Sequence, residues 1–373
     1  MKAHSTMKLN NHGHAHALLV CVFLATCCTL VVPRSAGGQE PESNGFLFHD
    51  SHFHLTNYVQ EGTEIREFLK IMGDKVGRST LFGIPLQQQW MHAATGDFAP
   101  TYYTQTDAPL YYYSFTDAII AHSYLSLKPE ERNRFDPMIT GFNPTDMYAA
   151  DHIRRVLLMY PGVFSGIGEF TIHKEFVSSK VAGEVATVDN EALDRIFDFA
   201  GEVGLPVIIH CDINMPFPSP GQDPYLVDKL KGLFRRHPDT VTIWAHIGVG
   251  RVVRPLENHL GMVERALGDS QLRNFHVDIS WDETAKYILS SPEATQATAD
   301  LINRYPDRFL FGTDNVAPQS QEKHLALYRL YEPLYEKLDA KAKNLLLKGN
   351  YERIFDQARL RVRAWEKANA PAP

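Results

Sequence analysis

Cysteine is scarce in this chain, with four in 373 residues. Cys21, Cys27 and Cys28 all fall inside one N-terminal apolar run, Ala17 to Val32, and past it Cys211 stands alone. One thiol closes no internal disulfide, so core packing must hold the fold. A basic excess is missing as well. Lys and Arg number 37 against 44 Asp and Glu, a formal charge of −7, which disfavours nonspecific attraction to nucleic acid or an anionic membrane. No nucleic-acid partner is expected. Internal repeats and low-complexity stretches are absent too. The Ala17–Val32 run falls short of the roughly 20 residues that span a bilayer as a helix.

That run reads as the apolar core of an export signal. Lys2 and Lys8 precede it, and Ser35-Ala36-Gly37 offers small residues for cleavage. The expectation is a signal peptide over residues 1–37, a linker over 38–45, and a periplasmic or secreted protein with no membrane span left after cleavage. Retention of the run as an anchor is the alternative. A lipoprotein signal fits less well, because Thr26 before Cys27 is bulky for that position. His12, His14 and His16 resemble a metal motif but sit in the segment expected to be removed.

From Phe46 onward, short apolar runs alternate with longer amphipathic ones, the pattern of repeated βα units around a parallel sheet. Eight strands are expected: Phe46–Leu55, Ser79–Pro85, Met138–Phe142, Val163–Thr171, Pro206–Asp212, Val241–Gly248, Phe275–Ser280 and Phe309–Asp314. Helices are expected at Asp146–Tyr160, Asn190–Val203, Pro224–Arg236 and Glu293–Arg304. Eight such units make an α/β fold of the (β/α)8 TIM-barrel class, one domain over 46–366 with a disordered tail at 367–373. Two long connections leave strand ends, where barrel enzymes place their sites. Gln87–Ser114 carries Trp90 and several tyrosines, and Asn214–Asp223 is rich in Pro and Gly. Each reads as a substrate wall or lid, or as a packed surface excursion.

The densest chemical signal is Asp50-Ser51-His52-Phe53-His54, where strand alternation would project Asp50, His52 and His54 the same way. His210 ends the run Val207-Ile208-Ile209, and His246 ends Ile243-Trp244-Ala245. Glu169 closes strand four and Asp314 closes strand eight. Any one of these has a bland explanation: a hydrogen-bonded core histidine, or a helix cap for Asp314. His52, His54, Glu169, His210, His246 and Asp314 together at one end of parallel strands do not, because burying these six unpaired would cost several kcal/mol. A divalent cation removes that cost.

The order His-x-His, Glu, His, His, Asp on strands one, four, five, six and eight resembles the amidohydrolase superfamily. It is nearest to the amidohydrolase-related (amidohydrolase 2) family, with a TatD-like glutamate on strand four. The resemblance runs from about Phe46 to Phe355 and includes the closing segment Gly349-Asn350-Tyr351-Glu352-Arg353-Ile354-Phe355. It implies that His52, His54 and Asp314 hold one divalent ion and that His210 and His246 hold a second, with Glu169 between them. Whether one ion or two bind stays open. Zinc suits imidazole and carboxylate ligands best, with manganese or iron as alternatives. Many two-metal relatives bridge with a carbamylated lysine; Glu169 departs from them, and Lys174 lies beyond the strand end.

The implied activity is metal-dependent hydrolysis of a small ester, lactone, amide or phosphoester, with Asp314 as catalytic base and then acid. Nonoxidative decarboxylation by the same residues is the runner-up. A noncatalytic metal- or ligand-binding protein on this fold is the third reading. Candidate substrate contacts are Arg251, Asp278, Trp281 and Trp90, with His173 and Lys174 near the mouth. Arg251 could equally serve a salt bridge at a helix start. Cys211 should face away from the lumen, into the core. A small molecule is the expected partner, and a second copy of the chain stays open as another.

Overall fold

The computed structural model describes residues 45–57, 61–84, 89–90, 104–105, 115–174, 180–181, 184–185, 187–214 and 226–370. The expected signal peptide and nearly all of the linker, most of both long connections, and the last three residues lie outside these. Within the first long connection, Gln89–Trp90 pairs in parallel with Thr104–Gln105. Among the described residues no helix is long and apolar enough to cross a membrane.

Eight parallel strands follow one another in chain order around a single sheet. They are β1 (Phe48–Asp50), β2 (Val76–Leu81), β3 (Phe135–Ile139), β4 (Gly166–His173), β5 (Val207–Cys211), β6 (Thr242–Trp244), β7 (Phe275–Asp278) and β8 (Phe309–Leu310). Each overlaps one expected strand. The ladder Val207↔Thr242, Ile208↔Ile243, Ile209↔Trp244 shows the parallel register. Every residue of β5 is buried, as a strand covered on both faces requires. The sheet also closes on itself. Ser51 N donates to Phe311 O at 3.1 Å and Asp314 N to His52 O at 2.7 Å. Past these, Phe53–His54 pairs in parallel with Asn315–Val316. The result is a (β/α)8 barrel.

Helices pack around it where amphipathic runs meet capping residues. After β3 comes α1 (Ala149–Met159), after β4 α2 (Glu191–Val203), after β5 α3 (Val227–Arg236), and after β7 α4 (Pro292–Arg304). Helix α2 begins where the Asn190 side chain accepts from Ala192 N and Leu193 N, and ends at Gly204 in the left-handed region. Helix α4 starts from Ser291, which caps Ala294 N, with Pro292 in its first turn.

The last helix, α5 (Asn350–Asn369), runs past the tail boundary expected at 367. It buries Tyr351, Ile354, Phe355, Val362 and Trp365, so the chain is anchored almost to its end. Beneath the barrel, Asp136 at the start of β3 accepts from Arg78 Nη2 at 2.8 Å, Arg359 Nε at 2.6 Å and Tyr351 Oη at 2.8 Å. Charge-assisted bonds of this kind are the stronger class. They tie α5 to the face opposite the strand C-termini.

Candidate metal centre

At the C-terminal ends of the strands, strand one does not stay regular. The chain bends at Ser51–His52 between β1 and Phe53–His54. This breaks the expected alternation, and Asp50 turns away from its neighbours. Its Oδ1 accepts from Thr313 N at 2.8 Å and its Oδ2 from Thr313 Oγ1 at 2.6 Å, so it joins the ends of β1 and β8. His52 and His54 remain together, with ring centroids 5.5 Å apart.

Glu169 reaches the same place from β4 because the residue before it is glycine. Gly168 has φ of 105°, and a Cβ there would lie 2.1 Å from the Ile208 carbonyl oxygen. No other residue lets β4 approach β5 so closely. After β6 the chain makes a tight turn with His246 at φ 56° and Ile247 at φ 52°. Asp314 and Trp281 also have positive φ, at 53° and 76°. Such backbone costs of order 1–3 kcal/mol per residue and gathers at functional sites.

The side chains converge on Glu169. Its Oε2 lies 3.5 Å from His52 Nε2 and 3.5 Å from His54 Nε2. Its Oε1 lies 3.0 Å from His210 Nδ1 and 3.3 Å from His246 Nε2. One carboxylate therefore faces two histidine pairs with different oxygens. Asp314 Oδ1 sits 3.1 Å from His54 Nε2 and 3.4 Å from His52 Nε2. Ligand atoms of His52, Glu169, His246 and Asp314 all fall within 4.8 Å of one another. His54 and His210 flank that foursome.

Behind the histidines stands Asp278, expected among the substrate contacts. It is fully buried and faces inward instead: Oδ2 lies 2.9 Å from His52 Nδ1, and Oδ1 accepts from His246 N at 2.9 Å and from the Ser280 hydroxyl. Ser280 Oγ in turn lies 2.9 Å from His246 Nδ1. Because Ser280 donates its proton to Asp278, it must accept from His246. Both His52 and His246 are thus fixed with hydrogen on Nδ1 and a lone pair on Nε2. Those two Nε2 atoms, with His54 Nδ1, are buried and lack a hydrogen-bond partner.

Lone pairs aimed at carboxylates at 3.3–3.5 Å repel unless a proton or a cation lies between them. Each unsatisfied buried atom costs about 1–3 kcal/mol. The donor set fits a divalent metal: imidazole nitrogens and carboxylate oxygens, oriented from behind.

The electrostatics agree. With protons rather than a metal on the facing histidines, burial would raise the pKa of Glu169, but the charges of His52 and Lys174 and the hydrogen bond from His210 hold it well below the usual carboxylate range. Asp314 is likewise lowered: burial opposes, while the His54 hydrogen bond and the charges of His246 and His52 outweigh it. Both are carboxylates ready to face a cation.

Of the other expected residues, Trp281 is nearly buried, its ring centroid 5.0 Å from that of His246 and 6.3 Å from that of His210. Lys174 Nζ and Arg251 Cζ lie 5.2 Å and 5.4 Å from the Trp281 ring centroid. Cys211 is buried in the core, as expected. The side chain of Trp90 lies outside the described residues. Sequence reasoning missed Asp212, whose Oδ1 lies 3.0 Å from His210 Nε2, and Ser280. Each stands two residues beyond a residue already singled out, His210 and Asp278, which is the strand spacing that could have found it.

Residues 134–357, from just before β3 into α5, match the amidohydrolase family model. That span includes Glu169, His210, His246 and Asp314, while His52 and His54 precede it. No curated protein matches the chain. Among solved structures, an uncharacterised TIM-barrel protein of Bordetella bronchiseptica shares 14% identity at a TM-score of 0.50, covering 83% of this chain and 99% of that one. A 2,6-dihydroxybenzoate decarboxylase from Rhizobium shares 15% at 0.45, covering 84% and 99%. A dihydroorotase from Campylobacter jejuni shares 13% at 0.47, covering 83% of each. Identities this low speak to fold alone. With the family model matched over more than half its length, the chain belongs to the amidohydrolase family and is a (β/α)8-barrel enzyme.

Proposed function

We propose that this enzyme is a divalent-metal-dependent hydrolase, exported from the cytoplasm, acting on a small ester, lactone, amide or phosphoester. The observation that carries the reading is the division of Glu169: Oε2 faces His52 and His54, and Oε1 faces His210 and His246. Such a carboxylate suits two ions, one held with Asp314 and one on the far side; zinc suits the donors best. When bound, the metal polarises the substrate's reacting oxygen and lowers the pKa of an attacking water towards roughly 7.

The protein's own groups do the rest. Asp314 is held ionised by its neighbours, so its carboxylate can take a proton from the attacking water and return it to the leaving group. Asp278, Ser280 and Asp212 keep the imidazoles from rotating. Trp281 covers His246 and excludes water from that side. An ionised acid placed for proton transfer favours an enzyme over a noncatalytic binder.

Nonoxidative decarboxylation is the second reading, supported by the cations Lys174 and Arg251 beside Trp281. A screen of esters, lactones, amides, phosphoesters and aromatic carboxylates, run with zinc-loaded and chelator-treated protein, tests both. Hydrolysis that needs the ion and collapses in Asp314→Asn supports the proposal; carbon dioxide release as the ion-dependent product, or hydrolysis indifferent to chelation, overturns it.

A further inference from the structure

Against the turn that presents His246 lies a cavity of about 300 Å³, large enough for a small organic molecule. Its wall is drawn from that turn, from the helices His259–Leu267 and Asp282–Ile288, and from α4. Ile247, Val249 and Ile288 give it a buried apolar floor, while Glu257 and Ser290 stand exposed at its rim. None of the six candidate metal ligands is in the wall. The cavity is therefore a separate space from the metal centre.

Three side chains of the wall donate to carbonyls of segment 246–250. His259 Nε2 lies 2.8 Å from Ile247 O, Tyr287 Oη donates to Gly250 O at 3.0 Å, and Thr284 Oγ1 to His246 O at 3.4 Å. The same wall thus braces the left-handed turn at His246 and Ile247. A carbonyl only accepts, so the hydrogen of His259 sits on Nε2. Burial pushes the pKa of this imidazole down to about 4, and at neutral pH its Nδ1 is a bare lone pair. That atom is buried and has no hydrogen-bond partner among the described residues, on a residue only 5% exposed. An unmet buried acceptor is unfavourable, and a ligand hydroxyl would satisfy it. Glu257 is the one charged side chain among the described wall residues, and it stands at the rim. A charged ligand would find no buried counter-ion here.

We infer that this cavity is an effector site for a small neutral molecule, a single ring bearing a hydroxyl, which donates to His259 Nδ1 and steadies the turn carrying His246. A cavity of roughly half this volume already takes benzene, so a ring with one substituent fits. The ring would lie against Ile247, Val249 and Ile288. Binding stands whatever the metal centre does; the steadying rests on reading His246 as a metal ligand. Coupling between two sites is reciprocal, so a molecule that favours the metal-binding form of the turn also tightens the hold on the ion.

The test uses the full zinc-loaded protein and two probes of nearly one shape, phenol and fluorobenzene, of which only phenol donates a hydrogen bond. Calorimetric titration should show both binding, with phenol favoured about fivefold, the worth of one hydrogen bond. His259→Phe should bring the two affinities together. Ala294→Leu fills the cavity from α4 without touching the metal centre, and it should abolish binding of both. In saturating phenol, zinc affinity measured by chelator competition should rise about fivefold in the wild type and stay unchanged in Ala294→Leu. Equal affinity for the two probes, no binding of either, or phenol binding that survives Ala294→Leu overturns the site. Zinc affinity indifferent to phenol overturns the effector role. Should His259→Phe fail to fold, the two probes on the wild type and on Ala294→Leu still decide. A wild type that holds no zinc yet prefers phenol and loses it in Ala294→Leu would sink the metal reading, and the steadying with it, and leave the binding site standing.

Discussion

Asp278 stands directly behind His52, its Oδ2 2.9 Å from the imidazole Nδ1 and both side chains sealed from solvent. The contact fixes which nitrogen of His52 carries hydrogen, and so which one can face a cation. Through Ser280 the same carboxylate governs His246. One buried acid therefore sets two of the four histidines.

Replacing Asp278 by Asn should weaken zinc binding about 10- to 100-fold, the usual effect of removing a ligand's supporting partner. An amide nitrogen facing His52 Nδ1 would favour the opposite tautomer. Competition with a chromophoric chelator measures the change, and an unaltered affinity would show that Asp278 does not orient the centre.

Asp314 and His52 should separate in their effects. Asp314→Asn should lower kcat by roughly 10²–10⁴ with most of the bound metal retained, as expected for a lost proton-transfer group. His52→Ala should lower metal content. Steady-state kinetics beside elemental analysis makes the comparison, and a fully active Asp314→Asn enzyme would remove the proposed base.

At the opposite end of the barrel, His276 is buried with Nδ1 donating to Asn274 O at 3.1 Å and Nε2 accepting from Arg353 Nη2 at 3.2 Å. Burial first, then the charges of Arg353 and Arg308, push its pKa down to about 3. The folded state thus stays unprotonated while the unfolded histidine binds a proton below about 6.5. This residue's contribution is intact above that value and is lost as pH falls from about 6.5 towards 3, at up to ~1.4 kcal/mol per unit. Other buried groups titrate in the same range, including Asp50 and Asp117, raised mainly by burial to about 7 and about 6, and theirs act with opposite sign. The measurement is consequently a difference: urea unfolding from pH 7 to 4 should show a shallower loss in His276→Asn than in the wild type. Parallel curves would contradict the assignment.

Gly312, just past the end of β8, passes close to the His52 backbone. A Cβ there would lie 2.7 Å from His52 N and 2.5 Å from its Cβ. Gly312→Ala should destabilise the fold by about 1–3 kcal/mol through overpacking and also weaken zinc binding, because His52 must move. Gly232→Ala, inside α3 with its nearest neighbour at 3.7 Å, should instead be stabilising by about 0.5–1 kcal/mol. Equal thermal shifts in the two variants would refute the steric argument.

The barrel was legible because each strand is a short apolar run, and Val207-Ile208-Ile209 could hardly lie anywhere but between two covered faces. The gathering of six ligand-type residues at one end followed from where those runs stop. What alternation could not show was its own failure. The bend at Ser51–His52 turns Asp50 outward, and the left-handed turn at His246–Ile247 presents a histidine from outside regular strand geometry. Nor could position alone tell a substrate contact from a support. Asp278 sits at a strand end like Asp314, and only its depth and partners place it behind the centre. Lys174 and Arg251 are 77 positions apart, and nothing local announces that both meet Trp281.

The most direct test of the account is metal content by elemental mass spectrometry on the purified protein beside its Glu169→Gln variant. If Glu169 divides two ions, the wild type should hold about two equivalents and the variant about one. A wild type without bound metal, or a single equivalent that Glu169→Gln leaves unchanged, would contradict it.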